Sequence, residues 1–200
     1  MTITVYHARG ARSLRVLWML EEMGLDYALK TMAFPPRVTT PEFVQVNPTG
    51  TVPAFIDGDV AIFESVAVME YLGAVHGPTP LVVAPGEAGY PEYLQFLHYG
   101  EATLMAYVQA IVRYGLFTPN PPIAKEQTDL FLERLAFVER ELEGEQYLAA
   151  GRFTAADISV GYTLSLAAFL ELKDRFPPRV ADYWGRLQER PAFKAAAAKA

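Results

Sequence analysis

With 200 residues, 52% of them hydrophobic and 20% charged, the chain has enough apolar material for one compact unit or two small layers, which excludes wholesale disorder. Lys and Arg total 17 against 23 Asp and Glu, a formal net charge of −6 and the wrong sign for a phosphate-backbone binder. Cysteine is absent, which removes disulfides, thiol redox centres and thiolate zinc sites, and the three histidines (His7, His76, His98) include no pair at helical metal-ligand spacing.

Ile3 to Tyr6 reads as a strand, and the residues around it lack the apolar core and cleavage site of a signal peptide. Ser13 opens a helix with Val16, Leu17, Leu20 and Met23 on one face and Gly24 as its stop. Tyr27 to Met32 is a second strand. Pro35 and Pro36 begin an irregular segment, and Pro41 to Val46 could form a short helix. Pro53 to Ile56 and Val60 to Phe63 make a hairpin about an Asp57-Gly58 turn. Ser65 starts a helix to about Val75. The order is β-α-β-α-β-β-α.

Prolines and glycines crowd His76 to Pro91 and mark a linker. The expected division is 1–78, a linker over 79–90, and an all-helical 91–200. Charge does not separate the parts: residues 1–78 hold 5 basic and 8 acidic side chains against 12 and 15 in the rest, −3 in each. A long helix runs from about Tyr90 to Phe117. Phe131, Leu135, Val138 and Leu142 form the buried stripe of another. Thr154 and Asp157 have the spacing of a capping box, with Phe153 and Ile158 as its staple, and open an apolar helix to Leu172. Pro177 and Pro178 precede a final helical region with Trp184 and Leu187, ending in a fraying alanine run, 195–198. The most membrane-like stretch, Ile158 to Leu170, falls well short of the roughly 20 apolar residues a bilayer needs, so a soluble, cytoplasmic protein without membrane association is expected.

Three features of the first part suit a small, anionic, peptide-like ligand. Pro53 stands at a strand entry; if its bond is cis, the Val52 amide and carbonyl turn outward, where an extended peptide could pair with them, whereas a plain turn proline would leave the same trace. Glu64-Ser65 lie at a helix start, where free amides and a hydroxyl attract a carboxylate and the Glu64 side chain could hold an ammonium; a simple cap accounts for Ser65 equally well. Ser13, just past Arg9, Gly10 and Arg12, could stabilise an anion such as a thiolate, or merely cap its helix. Lowering a thiol pKa from about 8.5 to about 6.5 takes roughly 2.7 kcal/mol, the order of one charge-assisted hydrogen bond plus a dipole contribution. Any sulfur must come from the ligand.

The stretches YHARGARSLRVLWMLEEMGLDY and NPTGTVPAFIDGDVAIFESVAVMEYL, with the later GRFTAADISVGY, span residues 3 to about 170 in order. Together they resemble the glutathione S-transferase superfamily, in its bacterial, serine-type (theta- or beta-like) members. The resemblance implies a thioredoxin-like α/β domain followed by an all-helical domain, a homodimer, and glutathione as co-substrate with no tightly bound cofactor. It implies that Val52, beside a cis Pro53, pairs with the cysteinyl backbone, that Glu64 and Ser65 hold the γ-glutamyl end, and that Ser13 donates to the thiolate. Two departures stand out. Arg12 occupies the place where some bacterial members carry a cysteine, which excludes mixed-disulfide chemistry and adds positive field. Thr51 replaces the lysine of Gly-Lys-Val-Pro, a lost cation that Arg37 could restore. Tyr6, near where tyrosine-type classes place their hydroxyl, is a lesser candidate than Ser13.

The expected second substrate is an electrophilic, apolar small molecule lying between the domains, lined by Met105, Tyr107, Arg113 and Tyr114, side chains that equally suit a helical core. Conjugation through a glutathione thiolate is the leading activity. Isomerase, dehalogenase or peroxidase use of that thiolate, and a non-catalytic binding protein on the same scaffold, remain alternatives. No nucleic-acid partner is expected.

Overall fold

The computed structural model describes residues 2–199. The chain divides into two compact units: residues up to Thr79 together with those from Glu189 onward, and Pro80–Gln188.

The first unit is built on strands β1 (Ile3–Ala8), β2 (Tyr27–Met32), β3 (Ala54–Asp57) and β4 (Val60–Ile62), ordered β2-β1-β3-β4. β1 runs parallel to β2 and antiparallel to β3, which pairs antiparallel with β4. The parallel pair needs a crossover, and helix α1 (Ser13–Met23) supplies it. Eight of its residues, Ser13 to Leu20, are buried, and it ends where expected, with Gly24 in the left-handed region at φ 65°. The β2–β3 connection carries one helical turn, α2 (Pro36–Thr39), and a 3₁₀ turn over Pro41–Gln45 in place of the expected helix. The hairpin pairs Asp57 with Val60, so its turn residues are Gly58 and Asp59, with positive φ only at Gly58 (59°). That is the type II′ pattern, and it shifts the expected Asp57-Gly58 turn by one residue. Asp57 ends its strand instead, its carboxylate accepting from Tyr71 (3.1 Å) and paired with His76 (2.7 Å). Tyr71 lies on α3 (Ser65–Val75), and His76 caps its end.

The second unit is helical. α4 (Tyr90–His98) and α5 (Met105–Val112) are joined and extended by π-helical turns over Tyr99–Leu104 and Arg113–Phe117, a continuous helical run over the expected span. α6 (Pro121–Glu141) buries Phe131, Leu135 and Val138. α7 (Ala155–Phe169) begins at the capping box read from the sequence: Asp157 accepts from the Thr154 N–H at 2.7 Å. The same buried carboxylate also accepts from the Leu148 N–H (3.0 Å) and the Tyr183 hydroxyl (2.8 Å) of helix α8 (Pro178–Glu189), yet desolvation still lifts its pKa to about 6. Gly100 allows α7 to approach: a Cβ there would stand 2.6 Å from the Ser159 carbonyl carbon. The Ser159 hydroxyl donates to the Leu97 carbonyl and Thr163 to that of Gly100.

The Pro/Gly-rich segment after residue 79 is fastened to the second unit, since Arg152 donates to the carbonyls of Pro80 and Val82 and pairs with Glu87. The final helical region is two helices, α8 and α9 (Pro191–Lys199), broken at a proline. α9 packs on α1: Phe193 meets Trp18 edge-on at 4.8 Å, and Arg190 makes two hydrogen bonds to Glu22 (2.6 and 2.7 Å). The alanine run is therefore held, with Ala196 fully buried. No helix among the described residues is long and apolar enough to cross a membrane.

Candidate functional site

Strand directions bring the three sequence features to one end of the sheet. β1 ends at Ala8 just before Ser13; β3, antiparallel to it with Tyr6 opposite Ala54, begins just after Val52-Pro53. β4, antiparallel to β3, ends just before Glu64-Ser65. β2, parallel to β1, ends at Met32 just ahead of Arg37. Segments far apart in sequence thus converge where β1 ends and β3 starts.

Ser13 is the first residue of α1, and Arg12, half-buried, holds the N-cap position without a side-chain cap. The Ser13 hydroxyl lies 2.8 Å from Nδ1 of His7, and both residues are fully buried. It therefore meets a ring nitrogen, where the cap reading would have it satisfy a helix amide. The opposite ring nitrogen, His7 Nε2, is buried without a hydrogen-bond partner among the described residues. Burial first, and the Arg9 charge second, lower the His7 pKa to about 4, so the ring is neutral at physiological pH. Nothing in a one-residue reading of β1 signals this pairing; the alternation of the strand does, since it turns His7 to the inner face and Tyr6 to the other. Tyr6 packs there on Phe43, ring centroids 5.3 Å apart, and its hydroxyl accepts from Lys30 at 3.4 Å. Tyr6 packs against an apolar cluster that includes Val52, Ala8 and Ala11.

Asn47 shapes the approach to Val52. Its buried side chain donates to the Thr51 carbonyl (2.6 Å) and accepts from the Thr49 N–H (3.0 Å). Gly50, at φ 66°, packs on Arg37, whose Cβ would stand 2.7 Å from an added Cβ. The Arg37 stem lies against Gly50, and Arg37 and Thr51 are both exposed, the guanidinium making no hydrogen bond or ion pair among the described residues. The Val52-Pro53 bond is cis, Val52 lies outside the β3 ladder, and its main-chain N–H and C=O make no hydrogen bond among the described residues.

At α3 the N-cap is Glu64, extended and exposed, its carboxylate unbonded among the described residues. Ser65 follows it, buried, its hydroxyl accepting from Arg15 of α1 at 3.3 Å. Arg15, fully buried, places positive charge under a helix start whose opening amides have no intrahelical partner. Sequence reading missed it because it sits among the apolar residues of α1; a charged residue within a buried face is the available signal.

The family profile described as "Glutathione S-transferase, N-terminal domain" matches residues 1–74. Glutathione S-transferase F10 of Arabidopsis thaliana is 30% identical over 215 aligned positions that cover the whole of this chain and 98% of that protein. The chain belongs to the glutathione S-transferase family. Glutathione S-transferase 1 of Triticum aestivum is also 30% identical, over 90% of this chain and 86% of its own. The glutathione transferase URE2P6 of Phanerochaete chrysosporium, solved in complex with oxidized glutathione, superposes with a TM-score of 0.87 at 26% identity, covering 99% of this chain and 96% of that one. The N-terminal unit is accordingly the thioredoxin-like domain of a glutathione S-transferase, and the helical part follows it.

The second-substrate candidates of this family member lie on α5 and the π turn after it. Met105 is 1% exposed. Tyr107 is half-buried with the Arg134 guanidinium 6.0 Å from its ring; Arg113 is exposed and lies 5.6 Å from the ring of half-buried Tyr114. Among the described residues, no three or more His, Asp or Glu side chains are placed to hold a metal ion.

Proposed function

We propose that this glutathione S-transferase binds glutathione across the sheet end just described and activates its sulfur as a thiolate for attack on an electrophilic carbon. The convergence of Ser13, Val52 and Glu64-Ser65 at that end carries the reading. An extended γ-linked tripeptide needs a strand-like partner, a carboxylate site and an ammonium site. Val52 offers its unbonded main-chain groups to the cysteinyl residue, the start of α3 and the Ser65 hydroxyl take the γ-glutamyl carboxylate, and Glu64 takes the ammonium. Arg37 supplies the cation that Thr51 does not.

Ser13 donates its hydroxyl to the sulfur, with Arg12 and the start of α1 adding positive potential. The thiol releases its proton to solvent; the thiolate lone pair forms the S–C bond as a leaving group departs with its electron pair. Glutathione is consumed as a co-substrate. Tyr6, whose hydroxyl accepts from Lys30, ranks behind Ser13 for this role. Tyr107, Arg113 and Tyr114 are assigned to the electrophile. The reading extends to a cytoplasmic homodimer, for which sedimentation at twice the chain mass is expected.

Ser13→Ala tests it. One charge-assisted hydrogen bond is worth about 1.5–3 kcal/mol, so kcat/KM for conjugation to an activated aryl halide near neutral pH should fall by roughly 10- to 150-fold. Unchanged turnover rejects the role of Ser13. Titration calorimetry with no heat up to millimolar glutathione rejects the site.

A further inference from the structure

We propose that His7 is a positioning residue for Ser13: its Nδ1–H donates into the serine oxygen and so leaves the hydroxyl proton free to point at the ligand's sulfur. This rests on the Ser13 reading above and goes beyond it by assigning the direction of the buried bond and the residue that sets it.

The 2.8 Å contact between Nδ1 and Oγ is compatible with two arrangements. A hydroxyl has one proton and two lone pairs. If Nδ1 is bare, the serine spends its only proton on the ring and can offer the sulfur nothing but lone pairs, which repel an anion. If Nδ1 carries the proton, the serine accepts from the ring and retains its own proton to donate outward. Nε2 then carries the bare lone pair, consistent with a ring nitrogen that has no partner in its buried setting. The alternative leaves a buried N–H unpaired and also disables the serine. A donor into Oγ further polarises the O–H, so the chain Nδ1–H···Oγ–H···S⁻ is cooperative.

A base role for His7 does not fit. A ring whose pKa burial and the Arg9 charge lower to about 4 is a poor base for a thiol titrating near 6.5 or above. The imidazole orients and is not charged in the working enzyme. Among natural side chains asparagine places an amide N–H closest to the position of Nδ1, while leucine fills similar space without a donor.

Two measurements test this. In the wild-type protein labelled with ¹⁵N-histidine, His7 should show a protonated Nδ1 and an unprotonated Nε2, with and without glutathione; the opposite tautomer overturns the proposal without any substitution. In the variants, the bound thiol is titrated by its thiolate absorbance. His7→Leu should raise the bound thiol pKa by about one unit, a roughly 5- to 10-fold loss of kcat/KM for the electrophile at pH 6.5 and saturating glutathione that closes by pH 9, with glutathione affinity for the protonated thiol little changed. His7→Asn should restore most of that loss. Equal defects in the leucine and asparagine variants at every pH would mean that His7 is only packing, and overturn the proposal. Ser13→Ala separates the two claims: if it leaves the thiol pKa unmoved, the Ser13 reading fails; if it moves the pKa and His7→Leu does not, only the His7 assignment fails.

Discussion

Glu64 and Ser65 are adjacent yet differ in how much each should contribute to ligand binding. Glu64 is exposed, and an exposed ion pair contributes about 0.2–1 kcal/mol, so Glu64→Gln should raise KM for glutathione by no more than about fivefold at unchanged kcat. The buried Ser65 hydroxyl accepts from Arg15 and keeps its proton for the γ-glutamyl carboxylate, and a hydrogen bond to such a charged group is worth about 1.5–3 kcal/mol. Ser65→Ala should therefore weaken binding by tenfold or more, and calorimetry ranking Glu64→Gln as the worse variant would contradict the assignment. His7 also predicts a pH dependence of stability. Its folded pKa of about 4 lies below the ordinary 6.5, so between those values the unfolded chain binds more protons and stability is lost as pH falls. Asp157, raised to about 6, acts with the opposite sign between about pH 4 and 6, so the informative quantity is the difference between wild type and His7→Asn. That difference should be flat above pH 7 and shift in favour of the variant by on the order of 2–3 kcal/mol by pH 4, measured by chemical denaturation. A difference constant across the range would mean that His7 is not held neutral.

Among the elements, α7 and the helical run it crosses test the packing. Gly100→Ala must force a Cβ into the Ser159 backbone, which neither helix can yield cheaply, and should destabilise the protein by about 1–3 kcal/mol. Gly185, inside α8 with open space at its Cβ position, is the control: alanine there should stabilise by about 0.5–1 kcal/mol through propensity alone. Similar denaturation midpoints for the two variants would contradict the close approach at Gly100. Elements with a strong local signal were legible in the sequence: the Gly24 stop of α1, the Thr154 capping box and the α6 stripe. The type II′ turn was misplaced by one residue because Asp-Gly and Gly-Asp share the central glycine, and only the strand register decides which pair forms the loop. The candidate site residues are read individually, from local chemistry and the family resemblance. Their convergence depends on strand direction and order, which a one-dimensional pattern does not contain. His7 and Arg15 escaped because a lone histidine in a strand and an arginine in an apolar helix acquire meaning only from what they face.

Across the whole molecule, the last helix belongs with the first unit. A linker and helical run read along the chain suggest a clean division, but Trp18 and Glu22 of α1 receive Phe193 and Arg190 of α9, so the N-terminal layer is completed by the C-terminal end. Phe193→Ala should cost about 3–5 kcal/mol and shift the Trp18 fluorescence to the red, whereas an unshifted spectrum would mean that α9 does not cover that ring. The return of the chain thus packs on the helix whose first residue is Ser13. The central claim is that a sulfur borrowed from glutathione becomes the reactive anion beside Ser13. A crystal structure of the glutathione complex tests it most directly: the sulfur should lie within hydrogen-bond distance of the Ser13 hydroxyl, with the cysteinyl main chain paired to Val52, and a sulfur lying elsewhere, or an empty sheet end at saturating glutathione, would contradict it.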